Sequence, residues 1–107
     1  MATAFTMEQS FYVDHLKAAA LQPIIPDDLD RAEVHRIIYD ELCKDITTTA
    51  SRSISEGIAQ NLIGKGADCV ILGCTEVGML LNESNVSVPV FDTTLIHCEA
   101  AIDAALY

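Results

Sequence analysis

The sequence predicts an α/β fold, a parallel sheet flanked by helices, and three observations carry that prediction. Amphipathic stretches with apolar residues three and four apart alternate with short apolar runs of strand length. One such run, Cys69-Val70-Ile71-Leu72, is apolar without interruption, the pattern of a parallel strand covered on both faces. Glycines and acidic residues punctuate the stretches where helices should stop and start.

Taken in order, Thr6-Met7-Glu8-Gln9 has the spacing of a capping box and predicts a helix from Met7 to about Ala20. Gln22 to Ile25, stopped by Pro26, fits a short strand. Asp27, Asp28 and Asp30 suit the positive end of a second helix, whose apolar stripe is Val34, Ile37, Ile38 and Leu42. A Thr/Ser-rich entry then leads into Ile54, Ile58 and Leu62, a third amphipathic helix closed by Gly64 and Gly66. Strand 69–72 ends at Gly73, and Glu76 to Leu81 suits a short helix. Val88 to Phe91 reads as a further buried strand, and Leu95 to Leu106 as a last helix with Leu95, Cys98, Ile102 and Ala105 on one face.

Several function classes are disfavoured by composition. Sixteen acids against six bases give a formal charge of −10, which repels phosphate backbones and anionic lipid. No apolar run approaches the ~20 residues of a membrane-spanning helix. The opening residues carry neither a basic n-region nor an apolar h-region, so the expected location is the cytoplasm. Cys43, Cys69, Cys74 and Cys98 form neither a C-x-x-C pair nor a zinc spacing, and are expected to be reduced, separate thiols with no metal.

The turn Leu72-Gly73-Cys74-Thr75-Glu76 stands out. It puts a thiol at the carboxyl end of a parallel strand, where open α/β sheets bind ligands. It also puts that thiol at a predicted helix N-terminus, whose free amides and partial positive charge favour thiolate. Thr75 offers a hydroxyl and neighbouring backbone donors for a carboxylate. Glu76 could orient the thiol or exchange a proton with it or with an ammonium group. Free cysteines most often fill cores, and Cys69 and Cys98 are assigned that role.

The run GADCVILGCTEVGMLL followed by VPVFDTTLIHCEAAIDAAL resembles the C-terminal signature of the aspartate/glutamate racemase family. ATAFTMEQSFY, RIIYDELC and TASRSIS also resemble its aspartate and broad-specificity branch, so the similarity spans essentially the whole chain. It implies one half of a two-domain fold, with residues 1 to about 85 as domain core and about 86–107 returning toward the other domain. It also implies a racemase needing no pyridoxal phosphate, metal or other cofactor. In this chemistry a cysteine thiolate takes the α-proton of an amino acid and a second thiol delivers one to the opposite face. Cys74 matches the second of these cysteines and Thr75 the adjacent residue that holds the substrate carboxylate.

Thr3 and Thr6 match a Gly-Thr-x-x-Thr type turn near the substrate, with Ala2 in the place of the glycine. Glutamate racemases usually carry His at the position of Glu76, so the resemblance leans toward aspartate or broader substrates. His97 matches a recurrent position and is a supporting candidate, with a structural hydrogen bond as its ordinary role. Arg52 could grip a carboxylate bidentately, although on a helix flank a solvated role is the ordinary one.

Nothing in the sequence resembles the Asn-Thr motif that carries the family's first cysteine, and Cys43 lies within a predicted helix. The chain opens where the family completes an apolar strand, so one sheet position is expected to be vacant. The second thiol would come from the missing N-terminal half or from another chain, a homodimer included. The alternatives are a non-catalytic amino-acid-binding module and an inactive racemase fragment.

Overall fold

A computed structural model describes residues 1–107. Its elements, in chain order, are α1 (Ala4–Glu8), α2 (Ser10–Ala18), α3 (Asp28–Asp40), α4 (Thr49–Gly64), β1 (Val70–Leu72), β2 (Val90–Asp92) and α5 (Thr93–Leu106). Single 3-10 turns stand at Leu42–Lys44 and Val77–Met79. No helix is long and apolar enough to cross a membrane.

The first helical stretch departs from its predicted start. Thr3, not Thr6, is the N-cap: its extended backbone starts α1 and its hydroxyl accepts from the Thr6 amide at 3.5 Å. Gln9 is extended and splits the predicted helix into α1 and α2. Asp27 caps α3 by accepting from the Asp30 amide at 3.0 Å, with Asp28 and Asp30 in the first turn as the charge pattern requires. Thr48 caps α4 the same way through the Ser51 amide at 3.0 Å. The end of α4 is a glycine stop, since Gly66 takes φ +101° and the next amide, of Ala67, reaches back to the Leu62 carbonyl at 3.1 Å.

The predicted stripe of α3 is the centre of the core: Val34, Ile37, Ile38 and Leu42 are all buried. They pack with Ile58 and Ala59 of α4, Val70 and Leu72 of β1, and Val77, Leu80 and Leu81 beyond it. Ile37, Ile38, Leu72, Leu80 and Leu81 are each under 2 % exposed, a burial that stabilises by on the order of 2 kcal/mol per side chain. On α4 the buried face is Ser51, Ser55, Ile58, Ala59 and Leu62, while Ile54 is exposed. The inward face therefore drifts from the i, i+4 row of large residues onto a row of small ones.

Only two strands form, paired in parallel with Val70 opposite Val90, Ile71 opposite Phe91 and Leu72 opposite Asp92. The segment from Gln22 to Ile25 has no ladder partner, and Ile24 and Ile25 are exposed. β2 lies on the sheet edge with Phe91 exposed, so the expected buried strand at 88–91 is shifted and only half covered. On the other side of β1 the Met1 nitrogen donates to the Ile71 carbonyl at 2.6 Å and the Met1 carbonyl accepts from the Gly73 amide at 2.9 Å. Those bonds place Met1 opposite Leu72 as a single residue of parallel pairing.

α5 buries none of its residues, and Leu95, Ile96, Ile102 and Leu106 are all exposed. Cys98 is exposed with them, which overturns its assignment to the core; Cys43 is exposed as well, and all four cysteines are free.

Candidate functional site

Gly73 follows β1 without a break and turns the chain so that Cys74, Thr75 and Glu76 sit at the carboxyl end of the strand. A Cβ on Gly73 would stand 3.2 Å from the Ala2 Cβ and 4.0 Å from the Thr6 Cγ2. The N-terminal turn therefore packs directly onto the strand end, and the sequence places a glycine where that approach is tightest. Ala2 is buried in this contact, so the close approach is permitted by Gly73 and not by residue 2. Across the turn the Thr3 hydroxyl donates to the Thr6 hydroxyl at 3.3 Å.

The polar centre of the site is one carboxylate oxygen. Cys74 Sγ donates to Glu76 Oε2 at 2.9 Å, and Thr75 Oγ1 donates to the same oxygen at 2.5 Å. Burial first, and then the Glu76 carboxylate beside it, push the Cys74 thiol up to about 11, so the proton rests on sulfur at neutral pH. The same pair of hydrogen bonds holds the Glu76 carboxyl below its ordinary range, so the carboxylate is ionised.

This corrects the expectation of a helix-stabilised thiolate. Only a single 3-10 turn, Val77–Met79, follows, too short to carry a helix macrodipole. The backbone amides of Glu76 and Val77 do favour the sulfur anion, but they are outweighed. The arrangement is a thiol poised to release a proton, with two amides ready to receive the anion left behind.

Other predicted residues stand at different distances from this centre. Arg52, at the start of α4, donates to the Met79 carbonyl at 3.4 Å; it fastens the turn that follows the site and makes no bond to Cys74 or Thr75. His97 lies exposed on α5 with no side-chain hydrogen bond, so neither its supporting nor its structural role is realised within the chain.

Thr93 and Asp92 are structural contributors that the sequence reading did not single out. The Thr93 hydroxyl donates to the Leu72 carbonyl at 2.8 Å, which ties the start of α5 to the strand that presents Cys74. Asp92 caps α5 through the amides of Thr94 at 2.9 Å and Leu95 at 3.4 Å. Asp-Thr-Thr after an apolar run is an N-cap signature that could have shown this. No cluster of histidine, cysteine or acidic side chains suits a metal ion.

The sequence matches the model of the Asp/Glu/hydantoin racemase family over residues 1–101. A candidate Asp/Glu racemase from Yersinia pestis superposes with a TM-score of 0.95 at 45% identity, over 100% of this chain and 47% of that one. The aspartate racemase homologue from Pyrococcus horikoshii OT3 gives a TM-score of 0.89 at 33% identity over the same shares. An uncharacterized protein from the pnlA 3′ region of Pectobacterium carotovorum subsp. carotovorum is 30% identical over 83 residues, 78% of this chain and 54% of that protein. The chain thus spans about half the length of the relatives it matches. On the extent of the family match and the likeness of the whole chain to these structures, this chain belongs to the Asp/Glu/hydantoin racemase family.

Proposed function

We propose that the chain supplies one of two thiols, Cys74, to a cofactor-independent racemisation of aspartate or a broader set of amino acids in the cytoplasm. The observation that carries this reading is the protonated Cys74 thiol held against Glu76 at the end of β1. An opposing thiolate takes the α-proton of the substrate, breaking the Cα–H bond. Cys74 then gives its proton to the other face of the carbanion, forming the new Cα–H bond and leaving a thiolate facing the amides of Glu76 and Val77. In the reverse direction the two sulfurs exchange roles.

Thr75 and the backbone donors of its turn hold the substrate carboxylate, where charge builds up as the carbanion forms. Thr3 and Thr6 line the same end of the strand. Glu76 takes the substrate ammonium or relays the thiol proton, and Arg52 supports the site from outside it by fastening the turn at Met79.

The opposing thiol lies outside residues 1–107, in the other half of a two-domain racemase or in another chain, a second copy of this one included. Cys43 and Cys98 are exposed, and Cys69 precedes the strand that Cys74 follows. In this reading residues 1 to about 85 form a domain core, while residues from about 86 carry the surface that meets the other domain.

A second reading, an amino-acid-binding module without turnover, is favoured by the raised thiol itself, because a base held so far from ionisation abstracts protons slowly. Proton NMR of the pure chain with L- and D-aspartate and glutamate in deuterated water separates the two readings. Loss of the α-proton signal that disappears in Cys74→Ser but persists in Cys69→Ser supports a working thiol at position 74. Equal loss in both variants removes Cys74 from its role, and binding with no exchange favours the module.

A further inference from the structure

His35 is a titratable side chain on α3 that the racemisation chemistry does not use. Its Nδ1 accepts from the Ala4 amide at 2.9 Å, a bond that joins α3 to the start of α1. An imidazole nitrogen accepts only when it carries no proton, so this bond requires the neutral ring with its hydrogen on Nε2. The platform under the ring is firm. Val34, Ile37 and Ile38 beside it are buried, and the Tyr39 ring lies against it with centroids 4.6 Å apart.

The short helix α1 depends on outside support. At five residues it is far below the length at which a helix holds itself in water. The amide of its first residue, Ala4, has no acceptor within the helix. Its own cap is long, since the Thr3 hydroxyl reaches the Thr6 amide only at 3.5 Å, the outer limit of a hydrogen bond. The bond to His35 is therefore the stronger tie at this turn. The turn in its place covers the strand end: a Cβ on Gly73 would meet the Ala2 Cβ at 3.2 Å, and Cys74 is the next residue.

We propose that His35 is a positioning residue, whose neutral ring fixes the Thr3–Thr6 turn over Gly73 and keeps Cys74 half-buried, and whose protonation on Nδ1 releases that turn. Proton uptake from solvent puts an N–H where the acceptor stood, so two donors face each other. The charges around the ring are otherwise paired. Arg31, one turn back on α3, bonds Glu8 of α1 and Asp28, and Arg36 bonds Glu33 and Glu41. Carboxylates and guanidiniums stay ionised over the range in which an imidazole ordinarily gains its second proton. The use of the turn in turnover rests on the proposed place of Thr3 and Thr6 beside the substrate, whereas its attachment to His35 does not.

The test compares the chain with His35→Asn and His35→Ala. Asn carries Oδ1 on Cγ, where His carries Nδ1, and so offers an acceptor that takes up no proton. At pH 8, hydrogen exchange at the Ala4 amide and iodoacetamide labelling of Cys74 should each rise about fivefold in His35→Ala, the effect of one ordinary hydrogen bond. His35→Asn should stay within about twofold of the parent. Between pH 8 and pH 5 the Ala4 amide resonance should move together with the His35 ring nitrogens in the parent, and should stay put in His35→Asn. The Met1 amine, pushed down to about 6 by burial, titrates in the same interval. A movement that survives in His35→Asn belongs to that amine and would overturn the proposal. His35→Asn behaving like His35→Ala would overturn it as well, since ring packing on Tyr39 and not the acceptor would then order the turn. If His35→Ala does not fold, the Asn variant and the pH series decide the matter. Failure of the parent to exchange the aspartate α-proton would remove the racemase reading and leave these outcomes standing.

Discussion

Cys74 Sγ donates to Glu76 Oε2 across 2.9 Å, and burial together with that carboxylate pushes the thiol up to about 11. Replacing Glu76 by Gln removes the neighbouring negative charge and weakens the acceptor, leaving burial to oppose the amides of Glu76 and Val77. The thiol should then titrate closer to its ordinary value near 9. A fall of about one unit corresponds to about tenfold more thiolate at pH 8. Iodoacetamide labelling followed site by site by mass spectrometry should show Cys74 alkylated about tenfold faster in Glu76→Gln, with Cys43 and Cys98 unchanged. Unchanged labelling at Cys74 would mean that burial alone holds the proton.

The same shift sets a pH dependence of stability. The unfolded thiol loses its proton near 9 and the folded one near 11. Between those values the native state binds more protons than the unfolded state, so stability falls as pH rises through that window and is fully present below it. Urea unfolding at pH 8, 9, 10 and 11 should show a decline that is reduced in Cys74→Ala. An equal decline in both proteins would place the alkaline sensitivity elsewhere.

The reason Cys74 stood out in the sequence and its protonation did not is physical. A strand that ends in glycine followed by cysteine is a local pattern, and so are the stripe of α3, the glycine stop of α4 and the aspartate caps. Protonation depends on the balance between desolvation and a carboxylate two residues away, which spacing does not decide. Strand pairing is nonlocal too, and for that reason Gln22 to Ile25 read as a strand and forms none. Cys98 and the row Leu95, Ile102 read as a core face, since periodicity identifies an apolar stripe without saying whether anything covers it. Thr6 read as the cap because its spacing to Gln9 fits a capping box, but Thr3, three residues earlier, takes that place with its hydroxyl accepting from the Thr6 amide.

The contact of Ala2 with Gly73 gives a third prediction. Adding a methyl group at Gly73 brings it to 3.2 Å from the Ala2 Cβ, with the Thr6 methyl close behind, so the N-terminal turn must shift. Gly73→Ala should destabilise by about 1–3 kcal/mol, the usual range for overpacking. Ala2→Gly removes a buried methyl and should cost about 1 kcal/mol on its own. The double variant should recover part of the loss, with a coupling of at least about 0.5 kcal/mol in a double-mutant cycle. Strict additivity would show that the two positions relax independently.

The last prediction concerns α5. Its apolar residues make no buried contact in the chain, with Ile102 55% and Leu106 70% exposed. Helix propensity changes little between Ile or Leu and Gln, so Ile102→Gln with Leu106→Gln should leave stability within about 0.5 kcal/mol. Apolar surface of this kind drives association, and sedimentation velocity should show less self-association in the double variant than in the parent. If the remaining half of a racemase covers this helix, the same variant should also weaken its binding in a pull-down with that half, and Cys74→Ser should not. A double variant that unfolds at lower urea than the parent would mean that α5 is packed in solution, and the surface assigned to a partner would already be occupied within the chain.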